Sequence, residues 1–283
     1  MGLLQGATEL FPVSSLGHAV LIPSVLHWAF KQSDPSFVPF LTLLHIGTAV
    51  ALLVIYRHEW IAIIRGFIAA AIRGRIQTEP ERLSMLLLVG TLPTATVGVY
   101  LEHQIKVLFA TPKVAGAFLI VNGFLMLGAE LLRRRSERQA APTGVMGHEQ
   151  VEERFSSAEQ ISFRAAVLVG ACQSLALVPG LSRSGVTIAG GLVAGLRHVE
   201  AARFSFLLAT PVILAAGVVE VPQLFASGIA LGEYVAGAVL AALAAYFSAR
   251  FLLRYFRSGR LDPYGIYCIA AGAVSLALLT LKP

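Results

Sequence analysis

Six stretches of this chain are apolar enough and long enough to cross a hydrocarbon layer: residues 36–56, 83–102, 111–132, 203–221, 229–249 and 263–281. About twenty apolar residues in a helix traverse a core of about 30 Å. The runs are continuous rather than alternating, which predicts helices and not a β-barrel, because lipid offers backbone groups no partner outside the segment. With 13% charged residues, the chain carries about half the complement of a soluble domain. A soluble enzyme would have to bury all six runs at once. The expected class is an all-α polytopic membrane protein.

Two further apolar regions cannot span as single helices. Residues 1–12/14–30 and 162–178/184–196 are each two short pieces, interrupted by "FPVSS" and "VPGLSRSG". Short segments broken by Pro, Gly and Ser read as re-entrant helix pairs. Residues 60–72, "WIAIIRGFIAAAI", interrupted and flanked by arginines, read as a helix lying in the interface.

The basic residues give an independent check. The loops 57–82, 133–164, 197–203 and 250–260 hold 17 arginines of the 22 basic residues. Lys31, Lys106, Lys113 and Lys282 fall on the other side, and Arg183 stays within the membrane. One alternating path puts all 17 in the cytoplasm, and only if both broken pairs return to the side they entered from. This partition also accounts for the net charge of +6 without a nucleic-acid partner. No basic n-region precedes the first apolar run, so no cleaved signal peptide is expected. Cys172 and Cys268 both lie in apolar segments and read as small core residues.

On that path the two broken pairs enter from opposite sides, and three spans follow each. Gln5 and Gln173, Ser14 and Ser182, and Gly17 and Gly185 stand at one constant offset. These are the marks of an inverted-topology repeat, with residues 1–132 as the first copy and 162–283 as the second. Between them, residues 133–161 are rich in charge, Ala, Ser and Gly, and read as a solvated cytoplasmic linker.

An ionisable side chain within the membrane costs roughly 2.5–3.5 kcal/mol on insertion scales, so Glu9 and Arg183 demand a reason. A structural salt bridge between the broken pairs is one. It leaves the neighbouring serines unexplained. Ser14 or Ser15 can start a helix over 15–30, and Ser182 one that runs to 196. Helix starts carry free N–H groups and a positive dipole end, and Arg183 adds a guanidinium whose fork suits phosphate. Gln5 lies one turn before Glu9, so the two could share Mg²⁺ with phosphate oxygens and water. His18 could act as general base, general acid or nucleophile. His45, Glu102, Asn122, Glu130 and Glu220 also fall in or near spans; His45 and Glu220 are candidates for a supporting role. No Walker loop, GxSxG elbow or HExxH motif is present.

"QGATELFPVSSLGH" (5–18) and "PGLSRSGVTI" (179–188) resemble the two signature motifs of the undecaprenyl-diphosphate phosphatase family of the bacitracin-resistance type. "FSFLLATPVILAAG" (204–217) resembles the segment that follows the second motif. The resemblance implies hydrolysis of a C55 isoprenoid diphosphate to the monophosphate, recycling the carrier for peptidoglycan. It also implies an inner-membrane location, a site opening to the outer face, and Mg²⁺ or Ca²⁺. By position, the metal-linked (Glu/Gln)-x-x-x-Glu element falls on Gln5 and Glu9. The catalytic serine, histidine and arginine fall on Ser15, His18 and Arg183, and Ser14, Ser182, Ser184, Gly185 and Thr187 are candidate phosphate contacts. The nucleophile is Ser15, His18 or water. The expected partners are the polyprenyl diphosphate, the bilayer and a second copy in a homodimer. The rival reading is a secondary transporter or flippase for a polyprenyl phosphate or other anion, since inverted repeats with broken helices also build carriers.

Overall fold

The computed structural model describes residues 1–28, 36–109, 111–140, 155–226, 231–257 and 259–281. Among the described residues the chain is helical, with one isolated β-bridge between Ser156 and Leu196. In chain order the elements are α1 (Gly2–Leu10), α2 (Ser15–Val25), α3 (Phe37–Ile55), α4 (Arg57–Arg73), α5 (Glu79–Phe109) and α6 (Pro112–Ala140). After a 3₁₀ turn at Ala158–Gln160 come α7 (Phe163–Leu175), α8 (Arg183–Val193), α9 (His198–Ala226), α10 (Leu231–Tyr255) and α11 (Asp262–Leu281). Helices α3, α5, α6, α9, α10 and α11 are the six long and apolar enough to cross a membrane, and each contains or overlaps one expected span.

The four short helices form the two broken pairs. Helix α1 has 9 residues and α2 has 11; α7 has 13 and α8 has 11. At 1.5 Å per residue, none exceeds about 20 Å, too little to span. The first break follows from Pro12, which holds the preceding Phe11 extended at φ −63°, ψ 138°. The second break passes through Gly180, whose φ of +100° suits glycine alone.

Close backbone contacts seat these pairs. Helix α1 lies along α10, where a methyl group at Gly2 would overlap the Gly237 carbonyl. Helix α7 lies along α5 in the same manner, Gly170 against the Gly90 carbonyl. Helices α6 and α11 share a longer seam, Gly123 against Gly265 and Gly116 near Gly272. Small residues at such crossings let helices meet where lipid supplies no hydrophobic drive.

The segment expected to be a solvated linker behaves otherwise at both ends. Residues 133–140 continue α6 for two more turns, as their Arg, Glu, Gln and Ala content favours. Arg133 is buried, its guanidinium 3.1 Å from the centre of the Phe155 ring. Residues 155–161 pack onto the helix ends: Arg82 donates to the carbonyls of Glu159 (2.6 Å) and Ile161 (2.8 Å). Residues 141–154 lie outside the described residues, as do Lys31 and Lys282. Residues 60–72 fall within the helix α4, which is set off from α3 at the buried Tyr56 and ended by Gly74 in the left-handed region.

Arginines gather at one end of the bundle. There Arg203 of α9 binds Glu59 of α4, Glu159 of the 3₁₀ turn at 2.7 Å and Glu200 at 2.9 Å. Burial raises the cost of charge on Glu159, but the hydrogen bond and charge of Arg203 outweigh it and hold its carboxyl below the ordinary range. Beside this cluster Arg134 pairs with Asp262, and the fully buried Glu130 accepts from Leu261 N at 3.2 Å and faces His198 Nε2 at 3.1 Å.

Candidate functional site

Both helix starts are capped as serine chemistry favours. Ser14 Oγ accepts from Gly17 N at 3.1 Å to begin α2, and Ser182 Oγ accepts from Gly185 N at 3.1 Å to begin α8. The two breaks are laced together. Ser14 Oγ donates to Leu181 O (3.2 Å), while Ser184 Oγ donates to Phe11 O (3.1 Å). Asn122, fully buried on α6, clasps both: its Nδ2 donates to Pro12 O at 3.2 Å and its Oδ1 accepts from Ser182 N at 3.0 Å. The positive ends of α2 and α8 therefore meet inside the bundle.

Glu9, at the end of α1, stands at that meeting point and is 4% exposed, which leaves its charge to protein partners. Its Oε1 accepts from Arg183 Nη2. Its Oε2 accepts from Ser15 Oγ and from Gln5 Nε2 at 2.9 Å, and lies 3.1 Å from His45 Nε2. Four side chains from α1, α2, α3 and α8 thus converge on one carboxylate. Two atoms of the cluster stay buried without a hydrogen-bond partner: Gln5 Oε1 and Arg183 Nη1. An orphaned donor and an orphaned acceptor are costly unless a ligand meets them.

A cavity of about 170 Å³ opens beside this cluster. Glu9, Ser14, Ser15, His45, Ser182 and Arg183 form its polar wall. Its apolar wall comes from α3, α9 and the α7–α8 break, including Leu41, Leu177 and Ile213. His45 is eight residues into the 19-residue α3, so the site lies near mid-span, with the arginine cluster at the far end of that helix.

The structure brings together Gln5, Glu9, Ser14, Ser15, Ser182 and Arg183. It does not bring His18 to the cavity. That ring is engaged at both nitrogens, with Ser14 O at 2.7 Å and with Tyr267 OH at 2.7 Å, and stacks on Tyr267. In this arrangement His18 fixes the cap of α2 rather than meeting Glu9 or Ser15. Thr187 is also turned away, bonded to Arg183 O at 2.6 Å and to Ser205 Oγ behind α8. Ser184 and Gly185 spend their polar groups on the lacing and the cap. The histidine at the carboxylate is His45, for which the sequence held only one signal, an ionisable residue in mid-span. Asn122 carried the same faint signal. Glu220 is buried on α9 but does not line the cavity.

Among the described residues no three His, Cys, Asp or Glu side chains are grouped to hold a metal ion. Gln5 Oε1 and the Glu9 carboxylate offer two hard oxygens, and the first is unpartnered. Both Glu9 oxygens already accept from Arg183, Ser15 and Gln5, so a hard cation such as Mg²⁺, which takes few protein ligands and completes its shell with phosphate and water, would find only Gln5 Oε1 free.

The profile of the family described as bacitracin resistance protein BacA matches residues 1–274. The undecaprenyl-diphosphatase of Mycolicibacterium paratuberculosis is 44% identical over 297 residues, covering 100% of this chain and 96% of that protein. That of Acidiphilium cryptum is 44% identical, covering 98% and 95%. That of Granulibacter bethesdensis is 45% identical, covering 99% and 95%. With its two signature motifs folded into one buried cluster and matched nearly end to end, the chain belongs to the BacA family.

Proposed function

We propose that this protein is a membrane phosphatase that cleaves undecaprenyl diphosphate to undecaprenyl phosphate and inorganic phosphate, the activity named for its relatives. The observation that carries this reading is the hydrogen bond from Ser15 Oγ to Glu9 Oε2, beside Arg183 at the wall of the cavity. A hydroxyl nucleophile, its base and a guanidinium in one site are the parts an anhydride cleavage needs.

Arg183 Nη1 and the first-turn amides of α2 and α8 take the charge of the diphosphate. Ser15 Oγ attacks the terminal phosphorus while its proton passes to Glu9 Oε2. The bond from that phosphorus to the bridging oxygen breaks, and undecaprenyl phosphate departs with the proton that Glu9 hands on. Water then attacks the phosphoserine, Glu9 takes its proton and returns one to Ser15 Oγ, and inorganic phosphate leaves. Gln5 Oε1, with Glu9 once it gives up one of its donors, would hold Mg²⁺ or Ca²⁺, which would supply further charge neutralisation at the terminal phosphoryl group.

The close glycine contacts of α1 on α10 and α7 on α5 support reading the halves as inverted repeats. The arginine-rich end supports a cytoplasmic side in the inner membrane, with the cavity nearer the opposite, outer face. A carrier would use the cationic groups but leaves the Ser15–Glu9 pair without a task.

The test is phosphate release from undecaprenyl diphosphate by purified protein in detergent, with Mg²⁺ and with chelator. Metal-dependent release that is lost in Glu9→Ala and in Arg183→Ala is expected. Folded wild-type protein that releases no phosphate contradicts the reading.

A further inference from the structure

We propose that His45, which lies outside both signature motifs, is the positioning residue that keeps the Glu9–Arg183 pair open to substrate. This rests on the phosphatase reading above. His45 sits on α3, a full span, and its ring is anchored by Nδ1 at 2.7 Å from the Leu41 carbonyl. From that anchor Nε2 reaches to 3.1 Å from Glu9 Oε2. Arg183 holds the other oxygen through Nη2 alone, and its Nη1 has no partner.

An arginine beside a carboxylate ordinarily closes into a fork, two parallel N–H···O bonds. Here the second oxygen is drawn the other way, toward His45, Gln5 and Ser15. Of these three, Gln5 lies on the same helix as Glu9, and Ser15 is the reacting group. His45 is the one anchored by a separate span and facing the cavity. It therefore does two things. It keeps Oε2 within reach of the Ser15 hydroxyl, and it keeps Nη1 of Arg183 available for phosphate. Without it, the carboxylate can turn onto Nη1, so nucleophile activation and phosphate binding fall together. His18, engaged by Ser14 and Tyr267, cannot substitute.

The experiment is steady-state phosphate release from undecaprenyl diphosphate by wild type, His45→Ala and His45→Gln, with thermal unfolding of each. His45→Ala is expected to lower kcat/KM by roughly 10²-fold, the scale for a displaced catalytic group, with KM raised and kcat lowered together. A merely structural role lowers the active fraction, and so the apparent kcat, while KM stays put. His45→Gln, whose amide N–H can reach the same oxygen, is expected to recover much of the loss in both parameters. Wild-type kinetics in His45→Ala, an unchanged KM, or equal damage in Ala and Gln variants of wild-type thermal stability overturns the inference. Wild type that releases no phosphate sinks the phosphatase reading itself, and this one with it.

Discussion

Two charge clusters, one half-buried at an end of the bundle and one buried at mid-span, are built on opposite plans. At the arginine-rich end Arg203 is surrounded by three carboxylates, Glu59, Glu159 and Glu200. At mid-span the carboxylate of Glu9 accepts from Arg183, Ser15 and Gln5, with His45 Nε2 at 3.1 Å. The first cluster ties α4, the 155–161 segment and α9 together. The second leaves Gln5 Oε1 and Arg183 Nη1 unpartnered and faces a cavity. A charge cluster alone therefore does not mark a site, and neither does an orphaned atom, since Tyr56, Trp60 and Arg134 at the arginine-rich end also keep one. The combination does: Arg183, with its unpartnered Nη1, lines the cavity.

The comparison can be broken by showing that either cluster does the other's work. The largest effect is expected from Glu9→Gln, which removes the base: release per folded molecule should fall by about 10²–10⁴-fold, a loss that persists after correction for the lower unfolding temperature expected when buried Arg183 loses its partner. A smaller cost of another kind is expected from Arg203→Met. Three half-buried carboxylates lose their shared partner, which should destabilise by about 1–3 kcal/mol, read by thermal unfolding, while turnover per folded molecule holds. Asn122→Ala sharpens the boundary, since it unclasps Pro12 from Ser182. Leaving these buried groups unpaired should cost about 1–3 kcal/mol, with a rise in KM because the two helix starts lose their register.

The smallest effect concerns Glu159. Its carboxyl titrates below the ordinary range in the folded protein, so its stabilising share is present above that range and lost as pH falls through the lowered value. The difference in unfolding temperature between wild type and Glu159→Gln should be present at neutral pH and close up on acidification. A gap that widens toward low pH would reverse the sign.

Much of this was legible in the sequence because it is written in local chemistry. Continuous apolar runs identified the six spanning helices, and Pro12, Gly180 and the serines at 14 and 182 identified the breaks. Glu9 and Arg183 could be paired because each is costly in lipid and each flanks a break, and Ser15 joined them as a helix start beside the first break. What could not be read were choices made between helices. The direction of His18 depends on Tyr267 in α11, and the entry of His45 into the site depends on how α3 packs against α1. The fate of Arg133, buried over Phe155, depends on a contact across the stretch that reads as linker. Pattern gives an element its face; only packing says which partner meets it.

The most direct test of the central claim is Ser15→Ala, because it removes one neutral hydroxyl and leaves every charge of the cluster in place. Phosphate release and acid-stable phosphoprotein would be measured on wild type and variant in one preparation. Release reduced by at least about 10³-fold, no phosphoprotein, and an unchanged unfolding temperature are predicted for the variant, the loss expected when a nucleophile is removed. Release from Ser15→Ala at the wild-type rate would contradict the account.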